Sequence, residues 1–441
     1  MMQDVHATDV GPATPRRRKP KSKPATLAQK LVARAAGRDH VVPGDIVTCQ
    51  VDLAMFHDSS GPRRLKPMLE ELGATIWDKN KVVLVIDHYV PEADDEARRI
   101  VRIARDWAAE QALPHVYDSL GICHVVVPQH GHILPGMFCV GGDSHSPTGG
   151  AFGAYMFGIG ATEMLGVVTT GEIWLKVPNT IFMRWSGRLT LGVSAKDMML
   201  AMLGRYGLNA GDYGAVEFCG EAVHALSMPE RMTLSNMSAE LGAQVGLIAP
   251  DLTTHTWLAG TGSHRIEVDR WCSDEDAAGT WHHFDASTLA PQVALPHSPA
   301  NVRPVDDLER TRIDIAYIGA CTGAKIDDLR AAAKVLAGYR IAPHVKLLVA
   351  PASERDRRLA ERDGILRRLV EAGATLLPSA CGACAGYGSA IAAGSTVISS
   401  TARNFQGRMG SATARVFLAS PYTVAASALR GFISDARDVL T

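Results

Sequence analysis

The sequence predicts an α/β protein in which parallel β-sheets are covered by α-helices. Buried strand patterns such as KVVLVI (81–86) alternate with amphipathic helix patterns such as DDEARRIVRIARDWAAEQ (94–111) along much of the chain. Hydrophobic residues make up 46% of the 441 residues and aromatic residues only 6%. This balance is typical of aliphatic sheet cores covered by helices, and the length allows two or three domains.

The element pattern begins at Thr26, which is predicted to cap the helix LAQKLVARAAG (27–37). Further helices are predicted for RRLKPMLEELG (63–73), VSAKDMMLAMLGRYG (193–207), IDDLRAAAKVLAG (326–338) and a charged stretch around 353–371. Strands are predicted within VVPGDIVTCQVDLAMF (41–56), CHVVVP (123–128), RIDIAYIGA (312–320) and VKLLVA (345–350). Residues 252–305, which are rich in Thr, His, Asp, Ser and Pro, are predicted to be a long irregular connector. The pattern indicates three α/β domains at 26–178, 179–300 and 301–441.

Charge and composition exclude several classes of function. The formal net charge is −1, so no overall field attracts nucleic acid or a membrane surface. No apolar run approaches the roughly 18 residues that a membrane-spanning helix needs. Eight cysteines in a chain of this length do not indicate a secreted disulfide framework. We therefore expect a soluble protein of the reducing cytoplasm, with no membrane partner.

The N-terminal segment differs from the rest of the chain. PRRRKPKSKP (15–24) places six basic residues between prolines at positions 16–23. Charge blocks of this kind usually form solvated tails, so residues 1–25 are predicted to be a disordered basic tail. A targeting or nucleic-acid role is the alternative.

Polar side chains cluster where predicted strands end. The clusters are His57-Asp58, Asp87-His88, Asp143-Ser144-His145 and Cys321-Thr322. In open α/β sheets, ligands bind outside the carboxyl ends of the strands, so these clusters predict one site. The glycines around the third cluster, in GGDSHSPTGGAFGAYMFGIG (141–160), let backbone N–H groups point at an anion or a cluster.

Histidines are prominent in this set. A single buried histidine is more often a satisfied core residue than a catalyst. Here His57, His88, His124 and His145 recur, and three of them stand beside acidic residues. A neighbouring carboxylate fixes the tautomer of an imidazole and raises its basicity. The sequence alone leaves both interpretations open.

The segment SACGACAGYG (379–388) holds Cys381 and Cys384 among small residues. A CxxC pair in an α/β protein can be a thiol–disulfide motif. A structural zinc site needs four ligands, and no second CxxC or nearby CxxH completes one. Cys321 lies 60 residues earlier (381 − 321) at a predicted strand end. Three converging thiolates would suit an iron–sulfur cube with one iron left open to substrate.

The remaining cysteines are scattered along the chain, and we interpret them as core thiols. They are Cys49, Cys123, Cys139, Cys219 and Cys272.

Several motifs, in order, resemble the aconitase superfamily. They include GGDSHSPTGGAFGAYMFGIGATE (141–163), YIGACTGAKIDDLR (317–330), CGACAGYG (381–388) and TARNFQGRMG (401–410). The chain is most similar to the large subunits of two-subunit 3-isopropylmalate dehydratases and of their homoaconitase and dimethylmalate dehydratase relatives. The resemblance extends over roughly residues 26–437.

The resemblance implies an aconitase-like three-domain α/β/α body without the swivelling fourth domain. It also implies a [4Fe–4S]-dependent hydro-lyase that dehydrates or isomerises a 2- or 3-hydroxy dicarboxylate such as isopropylmalate, as in leucine biosynthesis. In the family the base is a serine alkoxide on the swivelling domain. Since this chain ends at Thr441 without that domain, we expect a small-subunit partner and a cytoplasmic heterodimer.

Residue roles follow from the same resemblance. Cys321, Cys381 and Cys384 would hold the cluster, and His88, oriented by Asp87, would protonate the leaving hydroxyl. Catalytic contacts to the bound water and hydroxyl are implied for Asp143, His145, His124 and Glu217. Substrate contacts are implied for His57, Ser144, Arg403 and Arg408.

Three positions depart from the family pattern. Gly323 and Ala402 stand where the family usually has asparagine, and Ala383 stands where it often has proline. Loss of two amides near the expected cluster would alter its surroundings. The departures make a dehydratase of another alkylmalate or homocitrate-type acid an alternative. A non-catalytic paralogue that has kept the fold is a further one.

Overall fold

A computed structural model describes residues 23–263, 266–387 and 391–440. The helices are α1 (Leu27–Ala35), α2 (Pro62–Leu72), α3 (Asp95–Glu110), α4 (Cys123–Gln129), α5 (Ala161–Thr170), α6 (Ala195–Tyr206), α7 (Glu221–His224), α8 (Met228–Met237), α9 (Leu252–Ala259), α10 (Ile326–Val335), α11 (Glu354–Arg362), α12 (Ile365–Glu371) and α13 (Pro421–Arg430). Short 3₁₀ helices span Lys79–Lys81, Ser146–Phe152, Ala286–Thr288, Val305–Asp307, Gly382–Ala385 and Ala436–Asp438. Among the described residues, no helix combines the length and the apolar character needed to cross a bilayer.

The strands form three main sheets and one short pair. They are β1 (Ile46–Gln50), β2 (Leu53–His57), β3 (Val82–Ile86), β4 (His115–Asp118), β5 (Phe138–Gly141), β6 (Tyr155–Gly158), β7 (Glu172–Lys176), β8 (Thr180–Ser186), β9 (Ala215–Cys219), β10 (Val245–Ile248), β11 (Thr280–Asp285), β12 (Gln292–Ala294), β13 (Val302–Pro304), β14 (Ile315–Ile318), β15 (Lys346–Val349), β16 (Thr375–Leu376), β17 (Thr396–Ser399) and β18 (Arg415–Ala419). The predicted α/β class with parallel sheets is confirmed.

The first sheet has the strand order β4-β3-β2-β5-β6, and all its strands run parallel. Strands β2 and β3 are buried along their whole length, as expected for a sheet covered on both faces. Because the strands are parallel, the segments after β2, β3 and β5 leave the same edge of the sheet. His57, Asp87 and Asp143 stand at or just beyond those strand ends. The sheet therefore gathers the first three predicted polar clusters.

The second sheet, β10-β9-β8-β11, is also parallel and lies within residues 180–285. The third has the order β13-β12-β18-β17-β14-β15-β16, in which β12 pairs antiparallel with both of its neighbours. Cys321 follows β14, and Arg403 follows β17, which pairs parallel with β14. The second sheet ends with β11 at Asp285, and the third sheet includes β12 at 292–294. The domain boundaries at 178 and 300 stay predictions.

Three predicted elements differ from the structure. CHVVVP forms helix α4 instead of a strand, because its first N–H donates to the Asp87 carboxylate and its apolar run is buried on all sides. Short apolar runs do not distinguish a strand from a buried helix. The connector at 252–305 contains α9 and the strands β11, β12 and β13. The charged helix around 353–371 is broken at Gly364, which has φ 69° and separates α11 from α12. The predicted basic tail lies outside the described residues except for 23–25.

A close backbone contact joins the glycine-rich segment after β5 to the second sheet. A Cβ atom built on Gly150 would lie 1.9 Å from the carbonyl oxygen of Gly246 in β10. Only a residue without a side chain allows this approach. The segment from Ser146 to Phe152 is thereby held against β10, with His145 at its start.

We predict that Gly150→Ala destabilises the protein, because the new methyl group must push β10 away from the glycine-rich segment. Overpacking of this kind costs about 1–3 kcal/mol or more, which thermal denaturation detects as a lower Tm. The matched control is Gly166→Ala in α5, where an added Cβ meets no atom within 4 Å. The Tm of that variant should be unchanged or slightly higher, since alanine has a higher helix propensity than glycine. Equal Tm values for the two variants would contradict the prediction.

Candidate active site

The carboxyl edge of the first sheet carries an acid–imidazole cluster. His57 and His88 stack with their ring centroids 3.8 Å apart and an interplanar angle of 11°. His57, Asp58, Asp87 and His88 are all buried, and each offers one ligand atom within 4.8 Å of the others. A second group of this kind contains His124, Asp143 and His145. The two groups meet where His57 Nε2 lies 3.7 Å from Asp143 Oδ2.

His88 is held by Asp87. The Nδ1 atom of His88 lies 2.7 Å from Asp87 Oδ1, and the Asp87 side chain is fully buried. Burial by itself would lower the pKa of His88, but the Asp87 carboxylate raises it to about 9. The same contact keeps the pKa of Asp87 below its ordinary value despite burial. At neutral pH the pair therefore holds a proton on His88, with Nε2 left as the nitrogen that can donate it.

Asp58 fixes the backbone of this loop. Its carboxylate accepts the N–H groups of His88 at 3.1 Å and of Tyr89 at 2.8 Å. A carboxylate committed to backbone donors orients the chain, so Asp58 acts by positioning His88.

Asp143 is the centre of the second group. Its Oδ1 atom lies 2.7 Å from His124 Nε2 and accepts the His145 N–H at 2.7 Å. Burial favours the neutral acid, but His124, His57 and His145 together hold the pKa of Asp143 well below its usual range. The carboxylate is therefore ionised between three imidazoles.

Glu240, which the sequence analysis did not identify, extends this network. Its Oε1 atom lies 2.9 Å from His145 Nε2 and accepts a hydrogen bond from Arg403 Nε at 2.6 Å. Burial would raise the pKa of Glu240, but His145 and Arg403 lower it. Arg403 also donates to the Ser144 hydroxyl at 3.0 Å. Ser144 and Arg403 therefore lie beside this network.

Glu217 is the one predicted catalytic residue that the structure does not bring to this network. It lies in the middle of β9, where it accepts a hydrogen bond from Ser273 Oγ at 2.7 Å, and Ser273 Oγ in turn accepts the Leu27 N–H at 2.7 Å. Side chains alternate between the two faces of a strand, and this one faces the start of α1. No local pattern indicated Glu240, which follows the C-terminal end of α8 in RMTLSNMSAELG (231–242).

The three predicted cysteines border the imidazole network. The Cys381 N–H donates to the Asp87 carbonyl at 2.9 Å, and the Cys384 N–H donates to the Cys381 carbonyl at 3.0 Å. Cys321 Sγ accepts a hydrogen bond from Asn236 Nδ2 at 3.2 Å. Cys321 and Cys384 are buried and Cys381 is partly buried, and all three are free thiols.

The thiols interact electrostatically. A hydrogen bond from Cys381 lowers the pKa of the Cys384 thiol to about 6, and Arg408, Arg403 and Lys196 act in the same direction. The corresponding pKa of Cys381 is raised. Burial, reinforced by Cys384, raises the pKa of Cys321 to about 12. One of the three is thus already disposed to be a thiolate.

The donor set suits a cluster better than a single zinc ion. Thiolates bound to one zinc ion lie about 2.3 Å from the metal and so at most about 4.6 Å apart. Among the described residues, the groups whose ligand atoms all lie within 4.8 Å of one another do not include these three thiols. A polynuclear cluster accommodates more widely spaced sulfurs. The buried Cys49, Cys123 and Cys139 belong to the apolar cores, as predicted. Cys219 is only partly buried and Cys272 is exposed, so the prediction of a core thiol is wrong for Cys272.

Three buried polar atoms at this site have no hydrogen-bond partner within the described parts of the chain. They are His57 Nδ1, Glu240 Oε2 and Arg408 Nε. Buried polar groups are normally satisfied, so unpaired ones indicate a place for a ligand or water. A cavity of about 420 Å³ is lined in part by Asp143, Ser144 and Arg403, which are bonded to or close to His57 and Glu240.

Gly323 and Ala402 occupy tightly packed positions. A Cβ atom on Gly323 would lie 2.2 Å from the Cβ and Oγ atoms of Ser400. Ser400 uses this space to pair with Gly319, whose N–H donates to the Ser400 hydroxyl at 3.0 Å. Ala402 is buried in the core of the second sheet. No side-chain amide can stand at position 323 without a rearrangement of Ser400.

Comparison with known proteins identifies relatives along nearly the whole chain. The sequence matches the aconitase family (aconitate hydratase) over residues 29–312 and 301–431. It is 42% identical over 421 residues to 3-isopropylmalate dehydratase large subunit 1 of Methanopyrus kandleri, covering 94% of this chain and 99% of that protein. It is 39% identical over 415 residues to the probable methanogen homoaconitase large subunit of Methanothermobacter thermautotrophicus, covering 92% of this chain and 96% of that protein.

Among solved structures, Thermococcus kodakaraensis aconitase X in its holo-form aligns with 86% of this chain and 89% of that chain. The TM-score is 0.47 and the sequence identity 13%. This likeness is too remote to add to the family match.

We predict that Glu217 weakens the fold at high pH. Burial raises the pKa of Glu217 from 4.5 to about 7. Between these two pH values the carboxyl group is protonated in the folded chain and ionised in the unfolded chain. Stability from this group is therefore full below pH 4.5 and is lost as the pH rises towards 7. Glu217→Gln should reduce the fall in unfolding free energy between pH 5 and 8 by up to roughly 3 kcal/mol, measured by urea denaturation.

The control for this experiment is Glu221→Gln, at an exposed position two residues beyond β9. It should leave the pH dependence of unfolding as in the unaltered protein. An unchanged pH dependence in Glu217→Gln would show that the buried carboxyl does not titrate as its surroundings dictate.

Proposed function

Since this chain belongs to the aconitase family, we propose that it is the large, cluster-bearing subunit of a two-subunit hydro-lyase that acts on a hydroxy dicarboxylate. The observation that carries the proposal is the placement of three free thiols against a buried imidazole–carboxylate network. The Cys381 N–H bonds to the backbone of Asp87, whose side chain holds His88. Removal of a poor leaving group such as hydroxide requires an acid and an electrophile side by side, and this arrangement provides places for both.

Cys321, Cys381 and Cys384 would hold a [4Fe–4S] cluster. When bound, such a cluster with three protein ligands supplies an open iron that acts as a Lewis acid towards the hydroxyl and carboxylate of the substrate. Asn236, which donates to Cys321 Sγ, would fix the orientation of that ligand.

The chain's own residues divide the remaining work. His88 Nε2 delivers a proton to the departing hydroxyl, because the Asp87 carboxylate keeps the ring protonated at neutral pH. Asp143 orients His124, and Glu240 orients His145. Arg403 keeps N–H groups beyond those bound to Glu240 and Ser144, and a guanidinium grips a carboxylate through two parallel hydrogen bonds. Arg408, with its unpaired Nε, is a second such group.

A base is also needed to take the proton from the neighbouring carbon. We assign it to a small-subunit partner, in line with the resemblance to two-subunit enzymes and with the names of the relatives, which are large subunits. The cavity beside Ser144 and Arg403 is where that partner would close the site.

The first substrate that we propose is 3-isopropylmalate, because the relative that is 42% identical is named a 3-isopropylmalate dehydratase large subunit. Homocitrate is the second candidate, since a probable homoaconitase large subunit is 39% identical. In either case the molecule presents carboxylates to Arg403 and Arg408 and a hydroxyl to His88.

A thiol–disulfide activity of Cys381 and Cys384 is a second candidate, favoured by the lowered pKa of Cys384. Catalytic thiols of that class are partly exposed. Here Cys384 is only 6% exposed. A thiol–disulfide activity would also give no role to Cys321 or to the histidines.

The first test is anaerobic purification with a 3-isopropylmalate dehydratase small subunit. We expect a brown complex that hydrates an unsaturated dicarboxylate and loses activity in air. Cys321→Ser should lose the colour and the iron, whereas Cys272→Ser, at an exposed thiol, should retain both. A colourless protein with a redox-active Cys381–Cys384 pair would favour the second candidate. A coloured complex inert towards a panel of malates would favour the non-catalytic paralogue.

The second test addresses the acid. His88→Gln should lower kcat by about 10²–10⁴-fold while leaving the iron content unchanged, because a general acid contributes in that range. The matched control is His255→Gln, since His255 is exposed on α9. Retention of full kcat in His88→Gln would transfer the acid role to another residue.

A further inference from the structure

Lys196 is a buried cation that the roles described so far do not use. It lies in the first turn of α6 and is 1% exposed. Its Nζ atom donates to the carbonyl oxygens of Thr401 at 2.6 Å and Ser400 at 3.2 Å, and lies 3.5 Å from the Thr322 hydroxyl. The ammonium therefore joins the loop after β14, which carries Cys321, to the loop after β17, which carries Arg403.

Lys196 differs from the other deeply buried cations in its partners. Arg231 is paired with Asp251 at 2.7 Å, and Lys325 with Asp328 at 2.9 Å. The acceptors of Lys196 are all neutral oxygens, and the ion pairs within the described residues do not include it. A buried ammonium without a counter-ion is costly, so a negative charge is needed close by.

Two sources of negative charge act on Lys196. Burial lowers its pKa to about 8, while Glu240, Cys321 and Cys384 act to raise it. Glu240 is already shared between His145 and Arg403. The remaining negative charge would come from the three cysteines when they hold the proposed cluster as thiolates.

We propose that Lys196 is the counter-charge of the three-cysteine site and positions the Cys321 loop against the Arg403 loop. The inference rests on the iron–sulfur cluster proposed above. A cluster held by three thiolates carries net negative charge, and its reduction adds one more. A fixed ammonium on these loops favours the reduced form and retention of the metal, since net charge and hydrogen bonding set cluster potentials.

The test compares variants of the holo-complex that separate charge from packing. Lys196→Gln removes the charge but keeps an N–H donor. Lys196→Met removes both the charge and the donor. Lys196→Arg keeps the charge. We expect the midpoint potential, followed by electron paramagnetic resonance, to move to more negative values in the Gln and Met variants. Both should lose iron in air several-fold faster, and the Arg variant should restore both properties.

A structural control is Arg231→Gln. Arg231 is also a buried cation, but its guanidinium pairs with Asp251 and not with the loops that carry Cys321 and Arg403. It should lower the Tm without moving the potential. A wild-type potential in a folded Lys196→Gln or Lys196→Met complex would overturn the inference and leave the proposed function standing. A Lys196→Arg complex that shows the same potential as Lys196→Gln would also overturn it. A wild-type complex that binds no iron would instead overturn the proposed function.

Discussion

Asp87 is the residue on which the geometry of the site depends. One carboxylate oxygen holds His88, the other accepts the first N–H of α4, and the backbone carbonyl accepts the N–H of Cys381. A single buried residue thus sets the acid, the helix that carries His124, and the CxxC loop relative to one another. Because Asp87 is fully buried, a small shift of this residue would disturb His88, α4 and the CxxC loop together.

The site alternates positive and negative groups at close range. Asp143 lies among imidazoles, Glu240 lies between an imidazole and a guanidinium, and the charges of Arg408, Arg403 and Lys196 act on the Cys384 thiol. In a low-dielectric environment such an arrangement is stable only as a whole, since removal of one partner leaves an unpaired charge. Unpaired atoms on His57, Glu240 and Arg408 mark where this network is open to a ligand.

The sequence predicted the strand-end clusters because strand ends are a matter of topology. In a parallel sheet, the residues after β2, β3 and β5 meet at one edge, whatever their distance along the chain. Glu240 could not be found in this way, because it follows a helix and its partner Arg403 lies 163 residues away. Glu217 was misplaced because its role came from the family resemblance alone, whereas its side chain is turned towards Ser273. The helix α4 was missed because its first turn is anchored by Asp87, a tertiary contact that local patterns do not contain.

The side chains of the network come from segments as far apart as His57 and Arg403, and this has a consequence for biosynthesis. At about 5–20 residues per second, a ribosome needs roughly 20 to 70 seconds to travel between those two codons. The first sheet, complete at β6, can fold early in that interval, before Cys321, Cys381 and Cys384 are translated. Loading of the proposed cluster would therefore be a late event in the maturation of the nascent polypeptide.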